Sequence, residues 1–391
     1  MAASAASGAS AAGEYRCRHQ RGLEGVPSAL PGSLLFAAGL LGNGLALALL
    51  WQHHLRARAR RTQRGAGGVG TVGAGRPRAS AFYLLVSALA TTDLLGKCLV
   101  SPIVLAAYAR NRSLSELWPA AEPVEGASAE SARPGRLCQL FAFLMAFFGL
   151  APTVLLLAMA LECWLSLGRP YFYERHTSRR RGALLTGGAA LLCALFCALP
   201  FAGFGSTVQY CPGTWCFIRM SGPGPSGRAY AALYASLLAL LALAIGACNL
   251  GSMRSLYRMA RRQPLPAAAV AAAWTLAPAG PPPPPPPPRL EELGQLLLLA
   301  LMTVLFAVCS LPMIIRAYVG AFAPDYDEKA DLTALRFFSV NSIVDPWVFI
   351  IFRTSVFRSC LRRLSWRLSS RRATHSQLLE TWPRKESDSV Q

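Results

Sequence analysis

Charge is scarce in this chain of 391 residues. Asp, Glu, Lys and Arg make up 15% of it, against about 25% in a soluble globular domain. Hydrophobic residues reach 53%. A string of water-soluble domains is therefore excluded, because much of the surface cannot face water. Histidine is scarce too. The five are His19, His53, His54, His176 and His375, and none falls in an apolar block. HExxH, CxxC and GxSxG are all missing, so hydrolytic or metal-assisted chemistry has no side chains to use. Gly65-x-Gly67-x-x-Gly70 matches a dinucleotide fingerprint in letters only, with no strand before it and no helix after it. We expect no enzyme, no cofactor and no structural metal. No cleavable signal peptide is expected either: residues 1–30 are rich in Ala and Ser but lack a basic n-region followed by a compact apolar core.

What is abundant is the long apolar run. Crossing a bilayer core takes about 20 apolar residues as a helix. Seven blocks qualify: 28–51, 81–108, 137–163, 183–205, 229–253, 293–320 and 332–352. The expected fold is an all-α membrane protein, a seven-helix bundle over 28–352. An N-terminal segment 1–27 precedes it and a tail 353–391 follows. Within the tail, residues 354–368 space Val356, Phe357, Cys360, Leu361 and Leu364 at helical intervals between arginines. That pattern predicts a short amphipathic helix on the membrane surface, where Cys360 is a candidate for palmitoylation.

The net charge of +20 first suggests nucleic acid, but its placement points to a membrane. Of the Lys and Arg residues, 26 fall in 52–80, 164–182, 254–292 and 353–391, and 10 in the segments of the other side. The basic side is expected to be cytoplasmic, with the N-terminus outside and the charge meeting anionic lipid. Asn111-Arg112-Ser113 is a glycosylation acceptor in an expected outer loop. Pro281 to Pro288 is an unbroken proline run, read as a stiff linker.

Six ionisable residues lie inside the blocks: Asp93, Lys97, Glu162, Arg316, Arg336 and Asp345. Each costs about 2.5–3.5 kcal/mol at the bilayer centre and so needs a partner, water or a task. Asp93 and Lys97 are four apart on one helix and are expected to pair. Arg316, in the last turns of its block, is expected to snorkel to the interface. Arg336 stands apart. It enters the seventh block about one turn below the outer surface, and Asp345 on the same helix is about 13 Å away by helix rise. A permanently charged guanidinium in that position is a ready carboxylate site. Lys97 offers a second cation deeper down.

Cys17, Cys138, Cys211 and Cys216 lie in polar segments expected on one side, which suggests two disulfides. Four cysteines allow three connectivities, and spacing alone leaves them open. Residues 209–218 (QYCPGTWCFI) alternate and contain Cys211 and Cys216, which predicts a hairpin lid.

Gly42-Asn43, Asp93, Glu162-Cys163-Trp164, Cys309-Ser310-Leu311-Pro312, Gly213 to Phe217 (GTWCF), and Arg336 ten residues before Pro346 in Asp345-Pro346-Trp347-Val348-Phe349 together resemble the rhodopsin-like receptors and, within them, the prostanoid receptor family. The resemblance implies a G-protein-coupled receptor in the plasma membrane for a lipid carboxylic acid, prostaglandin D2 first and prostaglandin E2 as the alternative. It implies coupling to the stimulatory G protein and cyclic AMP. By the resemblance, Arg336 holds the carboxylate, supported by Tyr108 and Thr214, and Trp215 is a further ligand-binding position. Lys97 and Ser339 meet the polar groups of the chain and ring, and Met145 and Phe148 are pocket positions. The resemblance also implies Cys138–Cys216 and Cys17–Cys211 bridges, a switch built on Asp93, Glu162, Cys163, Asp345 and Pro346, and an allosteric sodium position at Asp93 and Asp345. Arg169, Arg254 and Arg258 would line the G-protein face. Cys163 stands where the superfamily usually has arginine, and Ser310 where it has tryptophan. From another class, an organic-anion transporter would want inverted repeats, and none is visible.

Overall fold

The computed structural model describes residues 15–18, 20–24, 28–66, 78–118, 134–176, 179–222, 224–262, 289–323 and 327–353. The surface helix expected at 354–368, Cys360 and the proline run lie outside these residues.

The long apolar blocks fold as helices: α1 (Leu30–Ala66), α2 (Arg78–Arg110), α4 (Arg136–Gly168), α6 (Arg179–Cys197), α7 (Pro225–Arg262), α8 (Arg289–Phe322) and α9 (Glu328–Arg353). Two short helices, α3 (Leu114–Leu117) and α5 (Pro170–His176), lie in connections. Six of the helices are long and apolar enough to cross a membrane. The seventh, α6, has a shorter apolar stretch, Gly182–Cys197, and passes into a 3-10 turn at Leu199–Ala202. The block expected at 183–205 thus leaves the α-helix early, because Pro200 supplies no backbone donor to continue it.

The bundle closes through α1 against α2 and α9, α2 against α4, α4 against α6 and α7, and α8 against α7 and α9. Its surface inverts that of a soluble protein. Leu41, Leu192 and Leu243 are 68%, 68% and 71% exposed, whereas Asn43, Asp93, Ser310 and Asp345 are buried. A lipid solvent favours this arrangement, with the few polar groups satisfied inside. Asn43 shows how. Its amide donates to the carbonyls of Gly39 and Ser342, both at 3.0 Å, joining α1 to α9. Beside it, Gly42 is needed for room: a Cβ there would meet the Trp347 ring at 2.8 Å.

One end of the bundle carries a cap. Strands β1 (Thr207–Tyr210) and β2 (Trp215–Ile218) form an antiparallel hairpin, with Gln209 opposite Cys216. Gly213 turns it at a φ of 103° that favours glycine. Cys138–Cys216 pins the hairpin to α4, and Cys17–Cys211 ties down the N-terminal segment. This is the connectivity the resemblance implies. Buried Gln209 completes the cap, donating to the carbonyls of Cys17 (2.8 Å) and Gln20 (3.1 Å) and accepting from the Ser115 amide (3.0 Å).

Candidate ligand site

Beneath the hairpin, a cavity of about 120 Å³ lies among α1, α2, α4 and α9, with Trp215 of β2 above and Phe306 of α8 at its side. Phe36, Val100, Val104, Met145, Phe148 and Phe338 supply apolar walls. Two glycines make this possible. A Cβ on Gly96 would meet Phe148 at 2.9 Å, and one on Gly149 would meet Phe338 at 2.2 Å. Tyr234 steadies the far side of α4 by donating to the Ala146 carbonyl at 2.8 Å.

The polar groups are few and concentrated on α2 and α9. Lys97 reaches across to the Ser339 carbonyl at 3.1 Å. The expected Asp93–Lys97 pairing is one of charge attraction without a hydrogen bond: the ammonium makes its hydrogen bond to a backbone acceptor on α9, and both oxygens of the buried Asp93 carboxylate lack a hydrogen-bond partner among the described residues. The physical reason is reach. A lysine stem is long enough to cross to the neighbouring helix, and Gly39 of α1 leaves room, since a Cβ there would come within 3.3 Å of the Lys97 chain. Asp345 is buried near Asp93, and its Oδ1 also lacks a hydrogen-bond partner among the described residues. Two neighbouring buried carboxylates must share a proton or bind a cation, so this donor set fits the expected sodium position. Asn341 donates to Ser310 of α8 at 3.2 Å, a contact between helices that nothing in the sequence pattern announces.

Of the six expected ligand residues, the cavity brings together Lys97, Trp215 and Ser339. Met145 and Phe148 line it as well. Arg336, Tyr108 and Thr214 do not line it. Thr214 is buried in the hairpin turn, Tyr108 is half-buried near the end of α2, and Arg336 is exposed on α9. Arg336 lies one turn from Ser339, whose hydroxyl donates to the Arg336 carbonyl at 2.8 Å. Among the described residues no acid forms an ion pair with the Arg336 guanidinium.

Arg316 departs from expectation. Its Nε pairs with Asp331 Oδ1 at 2.7 Å, and the two side chains are only 15% and 1% exposed. It does not snorkel, because Asp331 sits at the start of α9 beyond a loop and folds back against α8. The other face of Asp331 accepts from Tyr15 at 3.0 Å. Burial is the main reason the Tyr15 phenol is pushed well above its ordinary value, with the nearby Asp331 charge adding to it.

At the opposite end, Glu162 accepts from Tyr173 of α5 at 2.8 Å, while Cys163 is buried beside it. Arg169, Arg254 and Arg258 are exposed at that end.

Residues 71–349 match the family described as 7 transmembrane receptor (rhodopsin family). The chain is 50% identical to the prostaglandin D2 receptor of Bos taurus, over 94% of this chain and 97% of that one. It is 44% identical to the prostaglandin E2 receptor EP2 subtype of Canis lupus familiaris, over 92% and 91%. The chain belongs to the prostaglandin receptors of the rhodopsin family. Squid rhodopsin shares the receptor's fold at a TM-score of 0.58 and 15% identity, covering 93% of this chain and 94% of that one. The receptor is a multi-pass membrane protein and belongs to no enzyme family, and family membership sets the transporter reading aside.

Proposed function

We propose that this receptor binds prostaglandin D2 at the plasma membrane and signals through the stimulatory G protein to raise cyclic AMP. The disulfide end faces outward, as the distribution of Lys and Arg favours. The observation that carries the ligand reading is the Lys97–Ser339 contact. It brings a cation into a cavity whose other walls are largely apolar, which suits a fatty chain with a few oxygen functions. Arg336, one helical turn nearer the disulfide end, supplies the carboxylate partner, with Tyr108 and Thr214 in support. Likeness to prostaglandin D2 receptors at 50% identity supports this ligand, and likeness to the prostaglandin E2 receptor EP2 subtype at 44% supports prostaglandin E2 as the second reading. Agonist shifts the bundle only by the difference in its affinity for two helix arrangements. The exposed arginines Arg169, Arg254 and Arg258 would then meet the G protein.

The test is cyclic AMP output and radioligand binding in cells against prostaglandins D2, E2 and F2α, prostacyclin and a thromboxane analogue. Prostaglandin D2 is expected to be the most potent. Arg336→Ala at matched surface expression should weaken free-acid binding by about 1.5–3 kcal/mol, the usual worth of a charge-assisted hydrogen bond. The methyl ester should bind the wild type poorly and be indifferent to the change. Equal binding of the free acid to both proteins defeats the Arg336 assignment, and a cyclic AMP response led by prostaglandin E2 selects the second reading.

A further inference from the structure

Side-chain hydrogen bonds tie α8 to its neighbours at successive levels. From the disulfide end they join Tyr318 to Ser236 of α7 (2.6 Å), Arg316 to Asp331 of α9 (2.7 Å), Ser310 to Asn341 of α9 (3.2 Å) and Thr303 to Asn249 of α7 (2.8 Å). Thr303 is the last of these among the described residues. Beyond it α8 runs on to its first residue, Arg289, about 21 Å by helix rise. Without the Thr303 bond that free run would begin at Ser310 and measure about 32 Å.

Asn249 stands on a helix that is itself pinned. Two residues on, Gly251 lets α7 lie against Trp164 of α4: a Cβ there would meet the indole Cδ1 and Nε1 at 2.7 Å. Residues two apart point to different sides of a helix, so α7 turns Gly251 to α4 and Asn249 to α8. Helix α7 packs along both α4 and α8, whereas α4 and α8 meet little. The far half of α8 is therefore joined to α4 through α7. The Asn249–Thr303 joint is only half satisfied. Thr303 gives its one hydroxyl proton to the Leu299 carbonyl at 2.7 Å and accepts from the Asn249 amide. Asn249 Oδ1 is buried and lacks a hydrogen-bond partner among the described residues. Such an amide gains from any helix arrangement that brings its oxygen a donor.

We propose that Trp164–Gly251 and Asn249–Thr303 form a clasp that restrains α8, and that its release lets the far half of α8 swing from α7 and opens that end of the bundle to the G protein. Arg254 and Arg258 stand on α7 one and two turns beyond Gly251, and Arg169 caps α4. A partner seated on these arginines thus bears on the helices the clasp joins. The inference rests on that arginine face as the G-protein contact and is independent of which prostanoid binds.

The test uses purified full-length receptor in phosphatidylcholine nanodiscs, with no ligand added. Nitroxides on Arg169→Cys and Gln295→Cys, in a Cys98→Ser/Cys360→Ser background, report the distance between α4 and α8 by double electron–electron resonance. On the unlabelled proteins, GTPγS uptake by stimulatory, inhibitory and phospholipase-activating heterotrimers reports signalling. Thr303→Val keeps the shape and removes the acceptor. It should add a longer-distance population and raise uptake about two- to tenfold, the range that one hydrogen bond spans. Thr303→Ser keeps the hydroxyl and should stay near the wild type. Gly251→Ala, which pushes the indole off α7, should act as Thr303→Val does. Asn249→Leu should match Thr303→Val, and the double variant should add nothing, because both remove one bond. Uptake raised only with a heterotrimer other than the stimulatory one corrects the coupling and upholds the clasp. Unchanged distances, uptake that is unchanged or lowered with all three heterotrimers, or a Thr303→Ser variant as active as Thr303→Val overturns the proposal. If Thr303→Val does not fold, Asn249→Leu is read in its place.

Discussion

Arg316 Nε lies 2.7 Å from Asp331 Oδ1, and this pair fixes the end of α8 to the start of α9. It also removes the acid that stands nearest Arg336 on its own helix, five residues away.

Breaking that pair should be expensive. Arg316→Met leaves Asp331 buried and charged without the guanidinium that faces it. Removing one partner of a buried pair costs about 3–5 kcal/mol. We expect a clear fall in the thermal unfolding midpoint in detergent, and substantial recovery in Arg316→Met/Asp331→Leu, where neither charge remains. A double variant as unstable as the single one would show that the pair itself, rather than the orphaned charge, stabilises the end of the bundle.

The cap should loosen in alkali. Burial raises the Tyr15 and Tyr210 phenols above the ordinary tyrosine value near 10, and Tyr15 donates to Asp331 and accepts from the Ser221 amide at 3.1 Å. A raised value means that folding favours the protonated phenol. The associated stability is whole below the unfolded value and lost as pH climbs through the folded one. Unfolding midpoints should fall as pH rises above about 10. Tyr15→Phe should start about 1 kcal/mol less stable at neutral pH and decline less steeply. Parallel declines in the two proteins would remove Tyr15 from the account.

Tyr173 takes the place of the missing arginine as a partner for Glu162. Tyr173→Phe deletes one hydrogen bond worth about 0.5–1.5 kcal/mol. Amide exchange across 171–176 should quicken about two- to tenfold, while exchange in the cap stays unchanged. Unaltered exchange in α5 would mean the bond does not hold that helix.

Asp93 and Asp345 should respond to sodium. Replacing N-methylglucamine chloride by sodium chloride at equal ionic strength should raise the unfolding midpoint of the wild type. Asp93→Asn should abolish the difference and, having lost one of two crowded carboxylates, should not be the less stable protein without sodium. A sodium effect that survives Asp93→Asn would place the cation elsewhere.

Periodicity and composition determined the large features. Seven apolar blocks require helices because lipid offers no partner for a backbone N–H or C=O, and six of those helices reach membrane-crossing length. The cysteines that cap one end were visible as residues in polar segments. Yet the choice among three pairings came from resemblance, since spacing says nothing of which sulfurs meet. The sequence also marked Lys97, Arg316 and Arg336 as costly charges, because burying any of them demands compensation. Which partner each obtains was decided only by tertiary structure. Lys97 gives its hydrogen bond to the Ser339 carbonyl and not to Asp93, four residues away, and Arg316 found Asp331 across a loop. Helical spacing predicts neighbours on one helix, whereas a long flexible side chain answers to whatever acceptor a neighbouring helix brings within its reach.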